Sequence, residues 1–283
     1  MEEPEVISFE LKSSAKAELS ERVKKQAEAR PIFLEGQLRS IHFLRGIHSR
    51  AQYALVAFYM LLASDSQATK QCSVPGHPGK VFQSYLHQSA LATISLACRK
   101  AFDQARKGMT GANFGRATDS VLEQHAAYWA KNSGESPENC LRALLLLRRF
   151  FLACSKSSSE LFREDGTLGR RIGLVKQYAD RSAAHISLDN YVIDILDFAH
   201  VVAAIGLVGE IIRSFDGGGP ASEFNDVDES AWKAAKELFP DTPDIRIFGT
   251  MRVSQQARCC WAWGEEEGMH MLTEQLPFAI SWF

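Results

Sequence analysis

The sequence predicts an all-α protein: a helical bundle carrying a small C-terminal appendage of α/β character. Three observations predict it. Apolar residues recur at three- and four-residue spacing along several segments between 32 and 215, as helices with one buried face require. Stretches rich in Gly, Pro and Ser separate those segments. After residue 220 the composition shifts to short aromatic and β-branched runs, and Trp261, Trp263 and Trp282 all lie there. The expected organisation is an N-terminal helix over 1–31, a helical domain over 32–216 and the appendage, with short strands, over 221–283.

Residues 8–30, rich in Ala, Lys and Glu, carry a thin stripe of Leu11, Ala15, Leu19 and Val23 and read as an exposed helix ended by Pro31. Residues 32–63 predict a long helix through Leu38, Leu44, Ile47 and Ala51, bent near Gly46. A loop follows over 64–79. A second long helix is predicted from Lys80 to about Lys107, with Phe82, Leu86, Ala90, Ile94, Ala97 and Ala101 on its inner face. Gly108–Gly115 is a break and 116–131 a further helix. Ser136-Pro137-Glu138 is a helix start, with a serine cap and proline in the first turn, and Leu141–Cys154 is apolar around most of its circumference. Asp165-Gly166 marks a turn, and Gly169–Tyr178 resumes a helical pattern. A helix predicted after His185 carries Asn190, Asp194 and Asp197 on a polar face, continues to about Phe215, and stops at Asp216-Gly-Gly-Gly-Pro220. Its apolar circumference is broader than one bundle contact needs. Glu229–Leu238 reads as a short helix; Ile245–Phe248, Arg258–Trp263 and Pro277–Phe283 are short aromatic and branched segments, and residues 240–283 are expected to hold at least one pair of short antiparallel strands.

With 283 residues, 46% hydrophobic and 23% charged, the composition is ordinary for a globular protein. A net charge of −2 excludes the chain-wide positive field of a protein that coats nucleic acid, while leaving room for a local basic surface. The six cysteines lack zinc-ligand spacing and read as reduced thiols. The acidic start Met1–Val6 has no apolar core of a secretory signal, and Ala54–Ala63 is too short to span a bilayer. A cytoplasmic protein without membrane partner, metal or cofactor is expected.

No phosphate-binding glycine loop, dinucleotide fingerprint or His-Glu-x-x-His zinc helix is present. Gly217–Gly219 reads as a linker. His42 and His48 lie six apart on one helix and face no common site, and His200 reads as a hydrogen-bonded core histidine. Arg148-Arg149 and Arg170-Arg171 read first as solvated helix faces, with an RNA-facing surface as the alternative.

One segment differs: Tyr178-Ala-Asp-Arg-Ser-Ala-Ala-His-Ile-Ser-Leu-Asp-Asn190, in which small residues and an arginine precede a histidine between two amphipathic helices. It resembles the signature of the HEPN superfamily, and more narrowly its abortive-infection branch, where Arg-Asp-Lys/Arg-x-x-Ala-His opens a long helix of an all-α bundle. Ser95-Leu-Ala-Cys-Arg-Lys-Ala-Phe-Asp103 resembles the Arg-Leu-x-Asp that members carry late in an early helix. The resemblance covers about residues 32–215.

The resemblance implies metal-independent RNA cleavage leaving a 2′,3′-cyclic phosphate, at a site shared by two protomers of a homodimer. His185 would transfer protons, since its pKa lies near neutrality. Arg181 would hold the scissile phosphate. Asp180 would orient the segment, with Arg99 and Asp103 behind it. Aligning Asp180-Arg181 with the family's Asp-Lys/Arg puts Ala179 where an arginine is expected. Alanine there fits either an engineered replacement, or a natural member that is inactive or relies on Arg181. The implied role is a toxin or antiviral effector, with RNA as substrate and an antitoxin or regulatory protein as partner. The alternative from a different class is a non-enzymatic helical protein that dimerises or binds a partner chain.

Overall fold

The computed structural model describes residues 35–66, 76–77, 79–104, 111–162, 168–180, 194–216, 224–248, 253–273 and 281–282, with side chains from 43 to 273. The helix expected within 1–31, together with Arg181, His185 and the Gly217–Pro220 linker, lies outside these. Two helices form the frame. Helix α1 (Glu35–Ser64), about 45 Å long at 1.5 Å per residue, passes through Gly46 without interruption. It packs along α2 (Lys80–Phe102). Leu44, Ile47, Ala51, Leu55, Phe58 and Leu62 of α1 are buried, a stripe at helical spacing.

The predicted break at 108–115 ends in a single helical turn, α3 (Gly111–Gly115). Helices α4 (Asp119–Ser133) and α5 (Pro137–Cys154) pack against each other across a short connection. Gly134 closes α4 at φ +75°, a conformation that an L side chain resists, and its N–H donates to the Ala130 carbonyl. Ser136 then caps α5 as predicted, accepting the Asn139 N–H at 3.1 Å with Pro137 in the first turn. Short α6 (Ser158–Phe162) leads to α7 (Leu168–Tyr178), which packs on α6, α2 and α8.

At the centre lies α8 (Ile195–Asp216), buried continuously from Phe198 to Ile212 and contacted by α1, α2, α4, α5 and α7. Among the described residues it is the one helix long and apolar enough to cross a membrane, and 83% of its most apolar stretch is buried inside the fold. The surplus apolar face expected of this helix is therefore used within the chain. Its start also differs from the sequence reading. Asp194 is not helical, and its carboxylate accepts the Leu196 N–H at 3.0 Å, so a capped helix begins at Ile195 rather than soon after His185.

The C-terminal residues pack into the bundle. Helix α9 (Phe224–Leu238) lies on α1, α10 (Val253–Ala262) on α8, and α11 (Glu265–Thr273) on α5. Strand β1 (Ile245–Arg246) pairs antiparallel with β2 (Ser281–Trp282), Ile245 opposite Trp282. Residues 258–263, grouped by composition with the β-containing segments, are instead largely helical. Val253, Gln256, Ala257, Cys260 and Trp261 form one buried stripe at 3–4 spacing, a pattern invisible in a window that starts at 258. Two glycines of α8 admit the C-terminal aromatics. A Cβ on Gly206 would sit 2.6 Å from the Phe248 ring, and one on Gly209 would sit 3.1 Å from Phe224. Trp129 stacks on Phe215, whose ring meets Trp261 edge to face, so the three link α4, α8 and α10.

A second departure concerns α2. Phe82, expected on the inner face, is 63% exposed, together with Val81 and Tyr85. The helix buries its apolar face only from Ala90 onward. Among the described residues, Cys98, Cys140, Cys154, Cys259 and Cys260 form no disulfide.

His125 of α4 is fully buried, and neither ring nitrogen has a hydrogen-bond partner among the described residues. Burial pulls its pKa from 6.5 down to about 4. The folded value lies below the unfolded one, so the unfolded chain takes the proton first. The stability associated with neutral His125 is complete above about pH 6.5 and is lost as pH falls towards 4, by an amount of order 3 kcal/mol. Burial lowers the pKa of His48 and His200 as well, with the same sign. The melting temperature is expected to fall across this window, and His125→Leu to flatten the fall. An unchanged acid slope in that variant would contradict the assignment.

Candidate functional site

The site's described part sits where α7 ends. After Tyr178 the helix widens into a π-type turn at Ala179 and Asp180, a feature frequent at functional sites. Asp180 forms an ion pair with Arg99 of α2 at 2.6 Å, both side chains partly exposed. The two segments singled out in the sequence, 95–103 and 178–190, thus touch through Arg99 and Asp180. Asp103 follows the end of α2 and accepts the Gln104 N–H at 2.7 Å. His185 and Arg181 lie outside the described residues.

Ala179 is only 4% exposed. A side chain grafted there would begin inside packed atoms, whereas Arg99 and Asp180 face solvent. The expected arginine position is thus an interior one in this chain.

Beneath the turn lies Lys176, a residue the sequence reading passed over. Its Nζ is within 2.8 Å of the Phe102 carbonyl, at the end of α2, and 2.8 Å of the Lys156 carbonyl, just past the end of α5. The side chain is buried at 6% exposure. Burial lowers its pKa, opposed by Cys98, Asp103 and Asp180 nearby. Burial likewise pushes the neighbouring Cys98 thiol up to about 12, so it is no ready nucleophile. A signal existed: Lys176 stands four residues after Ile172 and beside Val175, among the buried positions of α7, where a solvated lysine is out of place.

Beside the turn opens a cavity of about 810 Å³, lined by Tyr178, Asp194, Ile195 and Phe198 among others. Leu61 and Leu91 form apolar wall, while Asp65, Asp194 and Asp197 add carboxylates. His87 shares a hydrogen bond of 3.0 Å with Ser64 Oγ. Arg171 reaches Asp197 at 3.0 Å. The carboxylates make this cavity a poor seat for phosphate, in contrast to the nearby end of α2, where Arg99 and exposed Lys100 stand. Among the described residues, no three His, Cys, Asp or Glu side chains are arranged to hold a metal ion.

The remaining predicted groups have structural partners. His48 Nδ1–H donates to the Gly209 carbonyl and His200 Nδ1–H to the Leu196 carbonyl. Arg148 binds Asp119, and Arg149 approaches Glu265. Comparison of the chain with protein-family models, curated proteins and solved structures finds no match.

Proposed function

We propose that this chain is a HEPN-like protein that cleaves RNA without a metal ion, or binds it, and serves in the cytoplasm as a toxin or antiviral effector. One observation carries the reading. The two segments that resemble the superfamily's motifs are joined by the Arg99–Asp180 pair, and Lys176, two residues before the second segment, bonds to Phe102 of the first. The all-α bundle around them is the architecture that the resemblance implies. RNA phosphates would lie over the end of α2, where they compete with Asp180 for Arg99, rather than in the carboxylate-lined cavity. His185 would accept the 2′-hydroxyl proton and Arg181 would neutralise the phosphate. The test is cleavage of a mixed RNA pool in chelator by the chain and by His185→Ala.

The reading includes a homodimer with the two His185 residues close across the interface. The faces of α8 are filled within the chain, so the superfamily's composite site and the exposed Val81, Phe82 and Tyr85 of α2 support the dimer. Light scattering at micromolar concentration is expected to give twice the chain mass, and a monomer would count against it. The same exposed residues favour a second reading, a non-enzymatic protein that dimerises or binds a partner helix. Dimerisation without any RNA cleavage would select it.

A further inference from the structure

We propose that Lys176 is a positioning residue of the candidate site, holding Arg99 and Asp180 in register; the proposal rests on the function proposed above. The last carbonyls of a helix have no partner within it and carry partial negative charge. An ammonium brings three donors; here one closes the end of α2 through Phe102, and another holds the carbonyl of Lys156 in the turn between α5 and α6. A buried ammonium is costly unless it is paired in this way, so the three backbone segments are tied to one atom. Arg99 stands one turn before Phe102, and Asp180 one turn after Lys176. Both members of the exposed pair therefore hang one turn from the same anchor. An exposed ion pair is too weak to hold two helices by itself. The buried lysine supplies what the pair cannot.

A neutral side chain at 176 leaves the end of α2 and the α5–α6 turn without their donor, and Arg99 and Asp180 lose their fixed separation. Catalysis is sensitive to such loss, because a misplacement of about 1 Å can cost about 10²-fold in rate.

The experiment compares the full chain with Lys176→Met, Lys176→Gln and Lys176→Arg by amide hydrogen exchange and by RNA cleavage in chelator. In Lys176→Met, exchange is expected to rise at least about tenfold at 99–104, 154–157 and 176–180 while α4 and α8 keep their protection. The kcat is expected to fall about 10²-fold with KM within about threefold, and Lys176→Arg to recover most of it. Unchanged exchange in those three segments, a uniform rise along the whole chain, or a raised KM at constant kcat would each overturn the proposal. If the parent chain cleaves no RNA, the proposed function fails, and the exchange pattern alone decides the role of Lys176. If Lys176→Met does not fold, Lys176→Gln, which keeps an N–H donor without the charge, is read in the same way.

Discussion

Replacing His185 by alanine is expected to slow RNA cleavage about 10²–10⁴-fold, with chelator present in both reactions, because the proton-transfer contribution of a positioned histidine is of that size. In the proposed reaction the 2′-oxygen attacks the adjacent phosphorus, the bond to the 5′-oxygen breaks, and a 2′,3′-cyclic phosphate remains. A histidine is suited to both proton movements, from the 2′-hydroxyl and to the leaving oxygen. Equal RNA decay with and without His185, or activity abolished by chelator, would mean that the site or the mechanism is wrong. Position 179 forms the second arm. On sequence alone, an arginine there would add stabilisation of the developing charge worth about 10²–10³-fold. The buried methyl of Ala179 reverses the expectation. Overpacking typically costs about 1–3 kcal/mol, so Ala179→Arg is expected to melt earlier and to gain no activity. A gain would show that the turn opens in the active state.

Asp228→Ala is expected to be the most destabilising single change in the C-terminal half. Asp228 is fully buried, accepts the Tyr59 hydroxyl and pairs with Arg246 at 2.9 Å. Tyr59 in turn accepts the Ile247 N–H at 3.2 Å, and the Arg246 guanidinium lies over the Trp232 ring. Burial pushes the Asp228 carboxyl up, while Tyr59 and Arg246 pull it down. The three residues come from α1, α9 and β1, so the cluster ties the C-terminal segment to the bundle. Removing one partner of a buried pair leaves the other charge uncompensated and typically costs about 3–5 kcal/mol. At about 2–4 °C per kcal/mol for a chain of this class, the melting temperature should fall by roughly 10 °C. Asp228→Asn, which keeps an acceptor for Tyr59, should lose less. A loss under about 1 kcal/mol in the alanine variant would remove the cluster from the account of stability.

Much of the fold was legible in local chemistry. Ser136-Pro137 marked the start of α5, Asp216 before three glycines marked the end of α8, and His200 was read as a hydrogen-bonded core histidine. These are decisions between neighbours in the chain: a cap, a breaker, a face. The same local logic failed where a face had no partner or an unforeseen one. Phe82 has the spacing of an inner residue, yet α2 meets the bundle only from Ala90. Residues 258–263 have strand composition but complete a helical stripe begun at Val253.

By itself the sequence determined the all-α class, the succession of the main helices and the two segments worth suspecting, because helical periodicity and capping are properties of a few consecutive residues. Only the tertiary structure decided that Arg99 meets Asp180, that Lys176 joins the end of α2 to the α5–α6 turn, that Ala179 faces inward and that the apolar circumference of α8 is filled from within. The physical reason is that a buried charge takes its partner from wherever the fold brings one. Lys176 and Asp228 find theirs 74 and 169 residues away, and no pattern along the chain records that distance.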